Sequence, residues 1–135
     1  MTTSSLHASA FYKEVSKSKE LWSIRDSGGI PSPNNLDGVR VMPFWSSRSR
    51  AEKLIKNVEA YRGFEPFSVP LSEFSSRWVT GLIKDQSLVG LNWSGLKATG
   101  FDVAPREVLI NLEYLTTKNR NSIFKVITAC FRGKK

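Results

Sequence analysis

Histidine and cysteine, the residues that most often bind metals or act in acid–base and nucleophilic catalysis, are nearly absent from this sequence. Its 135 residues contain one histidine, His7, and one cysteine, Cys130. A single imidazole near an N-terminus, where chains tend to fray, gives no basis for a His-dependent acid–base pair or triad. Zinc sites require clusters of Cys or His that this chain lacks. We therefore expect no catalytic residues, no metal and no cofactor.

Carboxylate chemistry is the one catalytic option that this composition leaves open. Four aspartates lie near predicted strand ends or turns, namely Asp26, Asp37, Asp85 and Asp102. No motif pairs them, and solvated or capping carboxylates are the usual case. Because the glycines at 28 and 29 match neither a phosphate-binding loop nor a dinucleotide fingerprint, an enzyme is less favoured than a binding protein.

Disulfide partners and long apolar runs are also missing. Cys130 has no second cysteine to pair with, which is typical of proteins in a reducing compartment. No apolar run approaches the roughly 18 residues that a membrane span requires, and Met1 to Ser5 lack a basic and then apolar export pattern. The sequence therefore predicts a cytoplasmic protein that does not contact a membrane.

Positive charge dominates only the end of the chain. The formal net charge is +8, but residues 1–113 are nearly neutral. The C-terminal extension, residues 114–135, has no Asp or Glu and contains six basic residues: Lys118, Arg120, Lys125, Arg132, Lys134 and Lys135. We therefore expect a single domain over 1–113 and a basic extension packed on it. Ile123 to Phe131 is predicted as a strand, with a buried helix as the alternative.

The hydrophobic pattern switches repeatedly between helical and strand periodicity. Helices are predicted over 6–19, after Ser46 and Ser47, after Pro70 and after Pro105; strands are predicted over 21–26, 39–45, 65–69, 87–93 and 97–103. This order predicts an α+β fold, with one mostly antiparallel or mixed sheet of about five strands packed against three to four helices. The first two strands are expected to pair antiparallel. Pro43 favours an edge position for the second of them, or a position at a strand end, because proline cannot donate to a ladder.

Four tryptophan-containing segments carry a resemblance to a known family. They are Leu21-Trp22-Ser23-Ile24-Arg25-Asp26, Pro43-Phe44-Trp45-Ser46-Ser47-Arg48 with Ala51-Glu52-Lys53, Phe74 to Trp78, and Val89-Gly90-Leu91-Asn92-Trp93. Over roughly residues 11–113 the chain resembles an uncharacterised family of small bacterial proteins, known only as a domain of unknown function. The resemblance implies a bacterial, cytoplasmic α+β protein and carries over no catalytic or binding residues.

The strongest candidate site lies where the second strand meets the second helix. Trp45, Ser46, Ser47, Arg48 and Arg50 place an aromatic ring, hydroxyls and two guanidinium groups at a helix N-terminus. Free backbone N–H groups and the helix dipole attract anions there, and arginine adds a bidentate fork for phosphate or carboxylate. These residues are therefore candidates for binding an anion or an acidic partner.

Each member of this cluster also has a purely structural interpretation. Ser46 or Ser47 can cap the helix, Trp45 can belong to the core, and the arginines can be solvated. Trp93, beside a predicted turn, is a further candidate partner-binding residue, since tryptophan is enriched at interface hot spots. It can equally close one end of the core.

These observations favour a non-catalytic protein-binding module, such as a toxin-immunity protein or a regulatory partner, that recognises an acidic protein surface. The alternative is nucleic-acid binding through the basic extension and the face of Arg48 and Arg50. A third hypothesis is an enzyme acting on a phosphorylated or carboxylated metabolite, in a pocket that holds Arg48 and a nearby aspartate. The oligomeric state is not predicted.

Overall fold

The computed structural model of the protein describes residues 3–117. The predicted strand from Ile123 to Phe131, and all six basic residues of the extension, lie outside these residues. Within them, no helix is both long enough and apolar enough to cross a membrane.

Four helices occur in this part of the chain. They are α1 (Thr3–Ser18), α2 (Arg48–Asn57), α3 (71–84) and α4 (105–117). The middle of α3, Phe74–Trp78, is π-helical and lies between the α-helical segments Leu71–Glu73 and Val79–Lys84. A short 3-10 turn, Glu59–Tyr61, follows α2.

Five strands form two small sheets rather than one. The strands are β1 (Glu20–Arg25), β2 (Val41–Phe44), β3 (Glu65–Pro70), β4 (Leu88–Ser94) and β5 (Thr99–Val103). One sheet consists of β1 and β3, which run antiparallel; the other has the order β2-β4-β5. In the second sheet β2 is parallel to β4, and β4 is antiparallel to β5. The predicted mixed α+β class is confirmed, but the prediction of a single sheet of about five strands is wrong.

The predicted antiparallel pairing of the first two strands is limited to a single bridge and does not form a ladder. Trp22 of β1 forms an isolated antiparallel bridge with Trp45, the residue after β2, and each backbone N–H donates to the other residue's carbonyl at 2.7 Å. The connecting loop carries its own bridge between Asn34 and Arg40, so it is not a tight turn that would hold two strands in register. β3 pairs with β1 instead. The expected edge position of Pro43 is confirmed, because β2 is an edge strand.

The three-stranded sheet separates two hydrophobic clusters. Successive side chains of a strand point to opposite faces, so Phe44 of β2 enters the cluster that α1, α3 and α4 cover. Val41 and Trp45 enter the cluster that α2 covers with Ala51 and Leu54. Both faces of this small sheet are therefore buried, and the Trp45–Arg50 segment begins where β2 leaves the sheet.

Candidate functional site

A β-bulge in β4 changes the direction of Trp93. Strict alternation would place Trp93 on the same face as Leu91, but the register shifts between Leu91 and Ser94. Asn92, at this shift, has a φ of 50°, in the left-handed region that asparagine tolerates better than most residues. Leu91 therefore packs in one cluster and Trp93 in the other, next to Trp45.

The indole of Trp93 lies flat against two glycines. A Cβ at Gly90 would overlap the ring, and a Cβ at Gly100 would lie 2.7 Å from its Cδ1 atom. The ring Nε1 donates to Oδ1 of Asp102 at 3.0 Å, on the strand that pairs with β4. The two glycines thus leave room for the indole ring, because they have no Cβ atom, and the hydrogen bond to Asp102 fixes the orientation of the ring.

Asn92 connects three parts of the fold through its side-chain amide. Its Oδ1 accepts from the backbone N–H of Ser46 at 2.9 Å, and its Nδ2 donates to Ser46 Oγ at 3.0 Å. A longer contact of 3.4 Å reaches the carbonyl of His7 in α1. Because Asn92 and Ser46 are both buried, this pairing satisfies polar groups that would be costly to leave unpaired.

Arg50 is held by an ion pair with Glu14 of α1, which the sequence patterns did not indicate. Its Nε and Nη2 donate to the two carboxylate oxygens of Glu14, at 3.0 and 2.7 Å. Ser46 Oγ also donates to Glu14, at 2.8 Å. The hydrogen bonds from Arg50 lower the pKa of Glu14, and the same pairing raises the pKa of Arg50. The fork of Arg50 is therefore already occupied by a carboxylate of the protein itself.

The other polar residues of the predicted cluster have separate partners. Ser47 is the N-cap of α2, since its Oγ accepts from the backbone N–H of Arg50 at 3.3 Å. Arg48 pairs with Glu52 one turn later, at 2.6 Å, and its guanidinium carbon lies 5.9 Å from the ring centre of Trp22. The two arginines thus bind different carboxylates and do not form one anion-binding fork.

The two candidate tryptophans are both internal. Trp45 is 0 % exposed and Trp93 is 6 % exposed. The indole Nε1 of Trp45 donates to the carbonyl of Trp93 at 2.8 Å. The structure therefore brings Trp45, Ser46, Arg50 and Trp93 together, but as a buried junction, and neither indole presents its face to a partner.

The Glu14–Arg50 pair predicts a specific loss of stability in acid. A group whose pKa is lowered by folding contributes stability above its ordinary value, 4.5 for Glu14, and loses it as pH falls through the lowered value. Glu14→Gln should therefore be less stable than the parent protein near pH 7, and the difference should shrink below about pH 4. Urea denaturation of both proteins at a series of pH values measures the difference in unfolding free energy and its dependence on pH.

Glu52→Gln is the matched control, because its carboxylate belongs to an exposed i,i+4 pair with Arg48. Such pairs contribute about 0.5 kcal/mol or less. A pH-independent difference between Glu14→Gln and the parent protein would contradict the assignment of the lowered pKa to this pair.

A small basic cleft lies beside this junction. It has a volume of about 170 Å³ and is lined by His7, Arg50, Lys53, Leu54, Asn57, Asn92, Trp93, Ser94 and Gly95. His7 Nε2 lies 3.4 Å from Ser94 Oγ, and His7 Nδ1 is buried without a hydrogen-bond partner among the described residues. Lys53 is exposed and forms no ion pair within that part of the chain. The lining thus contains two cations and one imidazole, and no carboxylate.

Arg50, Lys53, Asn92 and Trp93 of this cleft lie in segments that the sequence singled out, and Ser94 and Gly95 form the predicted turn beside Trp93. His7 and Asn57 could not have been found from spacing, because they come from α1 and the end of α2. Tertiary packing alone brings them to the turn at Ser94 and Gly95.

The comparison with known families agrees with the resemblance seen in the four tryptophan segments. Residues 8–112 match the family described as "Protein of unknown function (DUF2750)". This span is most of the chain, so the resemblance predicted over roughly residues 11–113 is confirmed. No curated protein matches the chain.

Proposed function

We propose that this chain, which belongs to the DUF2750 family, is a non-catalytic protein-binding module that recognises an acidic segment of its partner. The observation that carries the proposal is the basic cleft, where Lys53, which has no ion pair among the described residues, lies with His7 and no carboxylate belongs to the lining. Arg50 also lines the cleft, but its guanidinium is already paired with Glu14. A carboxylate from a partner would find an ammonium group, an imidazole and the Ser94 hydroxyl within one cleft. Such charge-assisted hydrogen bonds are about twice as strong as neutral ones.

The size of the cleft favours a single inserted side chain or chain terminus. Pockets for complete small-molecule ligands span roughly 300–1,000 Å³, whereas the basic cleft has about 170 Å³. An Asp or Glu side chain, or a C-terminal carboxylate, needs much less room than a nucleotide. The occupant is therefore better supplied by a macromolecule whose remaining contacts lie outside the cleft.

Exposed leucines lie next in sequence to two residues of the cleft. Leu6, which precedes His7, is 53 % exposed, and Leu96, which follows Gly95, is 80 % exposed. Protein interfaces typically combine apolar contact with a few charged anchors. A suitable partner therefore presents an acidic segment with apolar neighbours. It could be a toxin that this chain neutralises as an immunity protein, or an enzyme that this chain regulates.

The test is capture of the partner from the native host by the full chain, with identification by mass spectrometry and measurement of the affinity. Lys53→Glu should weaken binding by at least about tenfold, which corresponds to 1.4 kcal/mol, because it places a carboxylate in the cleft. Lys56→Glu is the matched control, since it makes the same change on an exposed position of α2 outside the cleft. This control should retain affinity within about threefold.

Three outcomes would contradict the proposal. They are the absence of a specific protein partner, equal losses in Lys53→Glu and Lys56→Glu, and capture of nucleic acid instead of protein. The last outcome would show an affinity that falls steeply with salt concentration. It would be expected if the basic extension, rather than the cleft, were the binding element.

A further inference from the structure

A second cavity, which we call the Asp102 pocket, also uses Trp93 as a wall. It has a volume of about 470 Å³ and is lined by Pro33, Asn34, Asn35, Leu36, Val41, Tyr61, Trp93, Lys97, Ala98, Gly100 and Asp102. This volume lies within the range of small-molecule sites. The basic cleft and the Asp102 pocket share Trp93 and no other lining residue.

The loop wall of the Asp102 pocket is held in place by its own hydrogen bonds. Asn35 Oδ1 accepts from the backbone N–H groups of Asp37 and Val39, at 2.9 and 3.0 Å. The carbonyl of Pro33 accepts from the N–H of Val41 at 2.9 Å, which ties the loop to β2. Pockets whose walls are fixed before binding avoid the entropic cost of ordering them.

The carboxylate of Asp102 has a defined orientation in this pocket. Its Oδ1 accepts the hydrogen bond from Trp93 Nε1 at 3.0 Å, whereas Oδ2 accepts none from the described residues. Partial burial raises the pKa of Asp102, and the Trp93 hydrogen bond offsets part of this rise. Burial also raises the pKa of Tyr61, so its hydroxyl remains protonated. An oriented, solvent-accessible acceptor therefore borders a pocket whose lining combines apolar residues with Asn34, Asn35 and Lys97.

We propose that the Asp102 pocket binds a small, flat molecule that is apolar except for an edge of N–H donors, such as an aryl amidine. The donor edge hydrogen-bonds to Asp102, and the ring contacts the accessible apolar parts of the lining, which belong to Leu36, Tyr61 and Ala98. Lys97 also lines the pocket, but it extends from the exposed turn between β4 and β5 and can turn its ammonium group to solvent. This proposal does not depend on the basic cleft.

Benzamidine is a suitable probe, because it presents two parallel N–H donors to a carboxylate and carries a flat apolar ring. We expect it to shift the Trp93 indole N–H signal saturably in NMR spectra of the full chain, with a dissociation constant on the order of 1 mM for so small a molecule. The signal is assigned by its loss in Trp93→Phe. Benzoate, which has the same shape and the opposite charge, should produce no saturable shift.

Asp102→Asn should weaken benzamidine binding at least about tenfold, and Asp85→Asn, which removes a carboxylate outside this pocket, should leave it unchanged. If Asp102→Asn fails to fold, the parent protein still tests the proposal, because benzamidine binding should weaken as pH falls through the pKa of Asp102. The other titratable residues lining the pocket are Tyr61, whose pKa is raised by burial, and Lys97. Equal binding of benzoate, unchanged affinity in a folded Asp102→Asn, pH-independent affinity or no saturable shift at about 10 mM would overturn the proposal.

Discussion

The Trp45→Ala variant should lose about 3–5 kcal/mol of unfolding free energy, the usual cost of truncating a fully buried tryptophan. Trp45 is completely buried, and its ring fills the cluster between α2 and the three-stranded sheet. Its indole N–H is also the hydrogen-bond donor to the carbonyl of Trp93. Domains of this size typically have 5–15 kcal/mol in total, so this one truncation should remove a large share of the unfolding free energy.

Urea denaturation followed by circular dichroism measures this loss, and Trp45→Phe separates its two causes. Phenylalanine keeps most of the apolar volume but cannot donate to the Trp93 carbonyl. Leaving that buried acceptor unpaired should cost about 1–3 kcal/mol, less than the loss in Trp45→Ala. A loss below about 1 kcal/mol in Trp45→Ala would contradict the position of this side chain in the core.

Gly90→Ala should lower the unfolding free energy by about 1–3 kcal/mol, although it adds only one methyl group. The new Cβ would overlap the indole of Trp93. That ring cannot easily move aside, because Asp102 holds its edge and Gly100 lies against it. Gly81→Ala makes the same change where the added Cβ meets no atom within 4 Å. In α3 it should stabilise the protein by about 0.5–1 kcal/mol.

A double-mutant cycle assigns the cost of Gly90→Ala to its contact with Trp93. In a Trp93→Ala background the added methyl group meets no ring, so Gly90→Ala should then cost much less. Urea denaturation of the parent protein, the two single variants and the double variant gives the coupling free energy between positions 90 and 93. An equal cost in both backgrounds would show that the loss arises from the strand backbone instead.

Local patterns predicted the elements of this fold better than their assembly. The apolar spacing of Ala51 and Leu54 and the serines before them predicted α2 and its cap, because both depend on residues within a few positions. The pairing of β2 with β4 depends on which strand edges meet after collapse. The spacing of apolar residues does not indicate which strands pair with each other, so the division into two sheets was not predicted.

The candidate site was missed in part for the same reason. The segment from Ser87 to Trp93 has the pattern of a regular strand, and alternation would place Leu91 and Trp93 together. The local clues to the bulge were Gly90, which is unfavourable inside a strand, and Asn92, which tolerates a positive φ. The partnership of Arg50 with Glu14 had no local clue, since the two residues come from different helices.

The sheet topology has a consequence for how the chain reaches its native state. β4 and β5 are joined by a short turn, but β1 pairs with β3 and β2 with β4 across long stretches of sequence. Each distant pairing requires a long loop to close before its contacts compensate for the lost chain entropy. The hairpin of β4 and β5 can therefore form early. Until the long loop between β2 and β4 has closed, the edge of β4 that β2 covers in the native fold stays exposed to other molecules.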